Sequence, residues 1–254
     1  MKKVLLSVAG FDPSAGAGVL LDLKVFARMG FHGAAVITAL TTQNTRSVKN
    51  VYALPAKLVR EQYRVLAADL TIAGIKIGMA GSTENLKAIG TILAARRGIP
   101  RVLDPIIRSS SGAQLLEGGA VLELLRAIRD RATVLTPNLD EAGVLVGAPV
   151  HDIAGMKDAA VTIYDRCRVP CLITGGHLEK EAVNLLFDGR RVSLFGKPKI
   201  AKDVHGTGCF FSACLLGYLA QGRPLARACR LATELTHRAI RAAVRVGRGR
   251  PLMP

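Results

Sequence analysis

The sequence predicts an α/β fold on a mostly parallel sheet with helices on both faces. Three observations predict it. Short, continuously apolar segments alternate with amphipathic ones almost from end to end; the apolar segments stop at Gly, Pro or Asp; and polar, glycine-rich turns recur at their carboxyl ends. Strands covered on both faces read as unbroken apolar runs, and strand–helix alternation closes into a parallel sheet.

In chain order, KVLLSVAG (3–10) is the first strand, followed by the turn FDPSAGAG and an amphipathic helix over 17–29. AAVITAL (34–40) is a strand, and PAKLVREQYRVLAADL (55–70) a helix with Pro55 at its start, where its fixed φ suits a first turn. IAGIKIGM (72–79) is a strand before a helix over 84–97 that Ser82 or Thr83 caps. RVLDP (101–105) and TVLTPN (133–138) are strands stopped by proline, with a helix over 120–130 between them. Two helices follow, the second over 156–167, then the strand PCLITGG (170–176). EAVNLLFDGRRVSLFG (181–196) reads as a hairpin turning at Asp188–Gly189. Two long helices, 208–221 and 225–246, close the chain; the first is too apolar for a surface helix and is expected to be buried.

At 254 residues, half of them hydrophobic and with a mean hydropathy of +0.30, the chain is expected to form one domain over 1–254, its last residues, 247–254, a flexible basic tail. The apolar run at 210–220 falls short of the ~20 residues that cross a bilayer, and the N-terminus has too short an apolar run for a signal peptide, so a cytoplasmic protein is expected. Five cysteines, an odd number, give no disulfide framework; Cys167 and Cys171 have metal-like spacing without a second pair, and read as buried thiols. The net charge of +16 invites a nucleic-acid reading. Against it, the basic residues are spread along helices and aromatics are scarce, whereas a basic surface also suits an enzyme of anionic phosphates.

The strongest local signal is HGTGC (205–209) directly before a buried helix. Gly206 and Gly208 permit a sharp turn and close approach of a ligand, and a helix start offers unpaired N–H groups and a positive partial charge, which suits an anion. DPSAGAG (12–18) supplies a second glycine-rich loop. Neither is a P-loop, and the glycine spacing of GFDPSAGAG does not match a dinucleotide fingerprint. Asp104 ends a strand; Asn138 and Glu141 open a helix with the spacing either of a capping box or of oxygen ligands for a hard cation such as Mg²⁺, and spacing leaves both readings open. Gln43 and Asn44 follow an apolar strand, and an amide that donates and accepts together suits an amino-bearing heteroaromatic ring. His177 and His205 stand singly in glycine-rich loops and read as packing residues.

Taken in order, AGFDPSAGAGVLLDLKVF, ITALTTQNT, KIGM, LDP, LTPNLDEA, GGHL and HGTGC resemble the hydroxymethylpyrimidine/phosphomethylpyrimidine kinases of thiamine biosynthesis, within the ribokinase-like superfamily. The resemblance spans about residues 4–246 and implies a ribokinase-like three-layer α/β/α sandwich. It implies ATP-dependent phosphorylation of 4-amino-5-hydroxymethyl-2-methylpyrimidine, then of its monophosphate to the diphosphate. Gly206, Gly208 and Cys209 then form the anion hole, with Cys209, where sugar kinases of the superfamily keep an aspartate base, beside the substrate hydroxymethyl group. The helix start favours lowering its thiol pKa from a free value of about 8.5, whereas a thiolate would repel the nucleotide, and the sequence leaves both protonation states open.

By the same resemblance, Gln43 hydrogen-bonds the pyrimidine, and Gly10, Ala17, Thr41, Met79 and Ile106 surround it. Asp104, Asn138, Glu141, Thr174 and Thr207 match ATP and Mg²⁺ positions, Asp104 and Glu141 reaching the metal through water. A monovalent cation and a homodimer are further expectations; no nucleic-acid or membrane partner is expected. The chain departs from its relatives at Phe11, Thr41 and Val204, and reads Ser110 and Thr174 where relatives commonly carry lysine, with Arg108 a candidate replacement on the phosphates. The alternatives are a pyridoxal or pyridoxine kinase, and a catalytically weak pyrimidine-sensing protein.

Overall fold

A computed structural model of the chain describes residues 2–96, 98–107, 120–176, 178 and 181–254. Its strands make one nine-stranded sheet in the order β3-β2-β1-β4-β5-β6-β7-β8-β9. Strands β1 (Val4–Phe11), β2 (His32–Gln43), β4 (Ile72–Ile77), β5 (Arg101–Leu103), β6 (Val134–Leu135) and β7 (Cys171–Gly175) run parallel. The antiparallel members are at the two edges: β3 (Val48–Ala53) on β2, and the hairpin of β8 (Glu181–Phe187) and β9 (Val192–Pro198) on β7.

The period-2 alternation of side chains decides which face each helix covers. Val4, Leu6 and Val8 of β1, Leu103, Leu135, Cys171 and Ile173 join one buried cluster with α2 (Ala56–Asp69), α3 (Thr83–Ala95), α4 (Ala120–Ile128), α5 (Leu139–Val146) and α6 (Ile153–Cys167). Their neighbours Leu5, Val102, Val134 and Leu172 point the other way, into a cluster with α1 (Gly18–Arg28), α7 (Thr207–Ala220) and α8 (Leu225–Arg241). The result is the α/β/α sandwich that the alternation and the resemblance implied. As expected, α7 is buried all round, continuously from Cys209 to Gly217.

Local chemistry sets the ends. Ser82 caps α3 by accepting from the Asn85 N–H at 3.2 Å. Asn138 and Glu141 form a complete capping box on α5, each side chain accepting from the other's backbone N–H at 2.9 Å. Two elements differ from expectation. Strand β2 continues to Gln43 and pairs with the unforeseen β3, whose mostly exposed residues give no apolar run to recognise. Helix α8 ends at Arg241, and the chain then folds back on itself: Val244 and His205 both pair with Leu252 in isolated bridges.

The tail expected to be flexible is packed in this structure. Leu252 and Met253 are buried, Arg250 bonds Asp203 at 2.9 Å, and the Gly249 and Arg250 N–H groups donate to the Thr45 hydroxyl and carbonyl. Apolar side chains at both of these positions outweigh the local basic composition. All five cysteines are free and buried, in keeping with the reading of Cys167 and Cys171. Among the described residues, no helix is long and apolar enough to cross a membrane.

Candidate active site

The two glycine-rich loops meet at the carboxyl edge of the parallel strands, where ligands of open α/β sheets bind. Gly206, in the left-handed region at φ 83°, caps α7 and lies so close to Gly16 that a Cβ there would overlap the Gly16 carbonyl oxygen. Gly18, at φ 60°, abuts the Gly10 carbonyl in the same way. The first intrahelical bond of α7 runs from the Phe210 N–H to the Gly206 carbonyl, so the N–H groups of Thr207, Gly208 and Cys209 have no acceptor within the helix. Gly208 is exposed, and a Cβ there would meet nothing nearer than the Asp104 carboxylate, 3.9 Å away.

Asp12 and His205 tie the loops together. The Asp12 carboxylate, 3% exposed, holds His205 Nε2 at 3.0 Å and accepts from the Ser14 N–H and hydroxyl at 2.8 and 2.7 Å. Burial works against the Asp12 charge, but hydrogen bonds from His205, Ser14 and Gln43 hold its pKa below the usual carboxylate value.

Beneath the α7 start is a buried polar floor. Asp104 continues β5 through its N–H bond to Ile77 and accepts from the Ser212 hydroxyl at 3.1 Å. Burial pushes the Glu141 carboxyl up to about 8, with Asp104 adding like-charge repulsion. The two carboxylates therefore share one electrostatic environment. Lys76 and Asp22, both wholly buried, form an ion pair at 2.6 Å, and the Ser7 hydroxyl donates to the other Asp22 oxygen at 2.6 Å. Burial penalises the ammonium, yet Asp22, Cys209 and Asp104 together hold the Lys76 pKa above its ordinary value.

Burial favours one of the two protonation states left open for Cys209. Its thiol is 7% exposed, and burial, with Asp104 and Asp22 nearby, pushes its pKa up to about 12 despite Lys76 and the Gly18 N–H. At neutral pH it is a protonated thiol, since burial outweighs the helix start.

The positions expected around a pyrimidine divide. Gly10 abuts the Met79 methyl, and Met79 packs with Ile106, Ala39 and Val51, so Gly10, Met79 and Ile106 form one wall. Ala17 is the residue before α1 and packs against the cluster containing α7. Thr41 is committed to the Phe11 carbonyl at 2.9 Å, and the Gln43 side chain bonds Asp12 from the end of β2. Thr174 pairs with Asn138 beside the α5 cap, its N–H donating to the Pro137 carbonyl at 2.8 Å, while Thr207 occupies the first turn of α7. Arg108, Ser110 and His177 lie outside the described residues. Sequence reasoning missed Lys76, Asp22 and Ser212; the available signal was a lysine between Ile75 and Ile77 on one apolar element and an aspartate between Leu21 and Leu23 on another.

The phosphomethylpyrimidine kinase family model matches residues 12–253. The chain belongs to this family. It is 36% identical to the hydroxymethylpyrimidine/phosphomethylpyrimidine kinase of Aquifex aeolicus, over 98% of this chain and 99% of that protein. It is 40% identical to the Rhizobium meliloti protein of the same name, over 98% and 96%. Among solved structures, pyridoxal kinase from Staphylococcus aureus in complex with pyridoxal superposes with a TM-score of 0.91 at 30% identity, covering 100% of this chain and 93% of that one. Phosphomethylpyrimidine kinase from Clostridium difficile 630 superposes with a TM-score of 0.82 at 33% identity, covering 94% and 100%. The ribokinase-like fold and kinase class expected from the motifs agree with these relatives.

Proposed function

We propose that the protein transfers the γ-phosphoryl group of ATP to the hydroxyl of 4-amino-5-hydroxymethyl-2-methylpyrimidine, and then to the resulting monophosphate. The observation that carries this reading is the meeting of the Gly16–Gly18 and Gly206–Gly208 turns over Asp104 and Cys209, in a chain whose family is that of the phosphomethylpyrimidine kinases. The α7 start binds the transferred phosphoryl group through backbone N–H groups, while Gly10, Met79 and Ile106 hold the ring flat against the sheet edge. Gln43, oriented by Asp12, reads the aminopyrimidine edge. Phosphoryl transfer depends chiefly on positioning and charge stabilisation, which such a floor supplies.

Among the described residues no three metal-ligating side chains are grouped. Mg²⁺ nevertheless fits, because it keeps several waters and takes few protein ligands, and Asp104 and Glu141 are paired buried carboxylates whose repulsion a cation relieves. Bound there with ATP, the ion would neutralise developing phosphate charge. One Glu141 oxygen accepts from the Asn138 N–H, so the residue caps α5 and would hold the metal through water. A neutral Cys209 thiol positions the hydroxymethyl group rather than standing as a ready base.

A cytoplasmic homodimer completes the reading. Leu40 and Tyr52 are cross-strand partners, 43% and 56% exposed, and present an apolar surface on the β2–β3 edge for a second copy. The test is ADP release with ATP and Mg²⁺, first with the hydroxymethylpyrimidine and then with its monophosphate. Stoichiometric ADP in both steps supports the reading; ADP in neither contradicts it.

A further inference from the structure

Among the described ion pairs, Lys76–Asp22 is the one with both side chains at 0% exposure. Burying two charges costs several kcal/mol per ion in desolvation, and apolar residues of similar size commonly serve stability as well. Its position in the fold supplies a reason. Lys76 is the penultimate residue of β4, at the carboxyl edge where the ligand loops meet. Its ammonium is 3.8 Å from where a Gly78 Cβ would stand, a point also 3.0 Å from Ala9 and 3.8 Å from Ile106, on the wall assigned to the ring. Asp22 takes one of its three N–H donors at 2.6 Å. Helix α7 packs on β4, and Cys209 at its start and Asp104 are both within electrostatic reach of Lys76.

We propose that Lys76, anchored by Asp22 and Ser7, is a positioning residue for phosphoryl transfer: its buried ammonium is a fixed positive charge beneath the α7 start, preorganised for the charge on the transferring group. This rests on the kinase reading. Fixed charge in a water-excluded floor needs no reorganisation during reaction, the condition under which electrostatic stabilisation is largest. The charge acts through the floor formed by Asp104 and Cys209, both within its electrostatic reach.

The test compares the wild type with the double variant Asp22→Asn/Lys76→Met, which removes both charges and leaves neither unpaired. Two readouts are taken: turnover of the pyrimidine, and affinity for orthovanadate with ADP, which needs no pyrimidine. The expected result is a folded protein whose kcat falls at least about tenfold with KM values for ATP and pyrimidine within about threefold, and whose vanadate affinity falls about tenfold. Full kcat and unchanged vanadate affinity in a folded double variant overturn the proposal. If wild type lacks turnover but the vanadate difference persists, the substrate reading fails and the role of Lys76 stands. Should the double variant not fold, Lys76→Gln, which keeps a donor for Asp22 without the charge, is measured in the same way. Failure of both variants to fold makes the pair a folding element and overturns the proposal.

Discussion

Gly206 presses against the carbonyl oxygen of Gly16, joining the last glycine-rich turn of the chain to the first. The contact leaves no room for a Cβ, and φ at Gly206 is 83°. Gly206→Ala combines left-handed strain of about 1–2 kcal/mol with displacement of the Gly16 loop. The expected outcome is a melting temperature lower by about 2–8 °C and a raised KM for ATP. Thermal unfolding and initial rates check it; no change in either would show that the two loops act independently.

Gln43→Ala is expected to weaken pyrimidine binding far more than ATP binding. Losing one ligand hydrogen bond in a closed site costs about 1–3 kcal/mol. Calorimetric titration with each ligand decides the matter. Equal weakening of both would mean that Gln43 serves only to hold Asp12, to which its side chain is bonded.

Glu141 gives a pH signature. Its carboxyl is pushed up to about 8 in the fold from an ordinary value of 4.5. Between those values the folded state binds more protons than the unfolded state, so stability falls as pH rises through this window, by at most about 1.4 kcal/mol per unit. Glu141→Gln keeps the capping geometry and removes the charge. It is therefore expected to raise the melting temperature relative to wild type at pH 8 and hardly at all at pH 4.5. A gain confined to the acid side would contradict the account.

Cys209, with its thiol near 12, is expected to react slowly with iodoacetamide at neutral pH, the rate rising about tenfold per unit up to pH 11. A neutral thiol cannot take the alcohol proton as a standing base. Cys209→Ser is accordingly expected to leave nucleotide binding intact and to slow the alcohol and monophosphate steps by similar factors in single turnover. A selective loss of about 10²–10⁴-fold in the alcohol step would instead identify proton transfer to Cys209.

The tail links the turn after Gln43 to the start of α7, through Thr45 on one side and His205 on the other. Deleting residues 249–254 is expected to raise the pyrimidine KM and lower the melting temperature. Unchanged values would confine the tail to packing at the surface.

The parallel strands were legible because their apolar runs are unbroken, and the glycine loops because their spacing admits little but tight turns. Strand β3 was not legible, since an edge strand with mostly exposed residues carries no strong pattern. The packed tail was hidden in the same way: its basic composition reflects Arg248 and Arg250, and gives no weight to the buried Leu252 and Met253. At the site, the Asn138–Glu141 spacing served both readings, and the structure shows the capping box directly. The Lys76–Asp22 pair joins β4 to α1, and only the fold reveals that these two apolar-flanked charges neutralise each other. For Cys209 the sequence displays the helix start but not the burial that outweighs it.

The most direct test of the central claim is product analysis by mass spectrometry after incubation with ATP, Mg²⁺ and an equimolar mixture of hydroxymethylpyrimidine and pyridoxal. The account predicts that the pyrimidine is consumed first, to the monophosphate and then the diphosphate, with pyridoxal largely untouched. Preferential formation of pyridoxal phosphate, or no phosphorylated product of either, would contradict it.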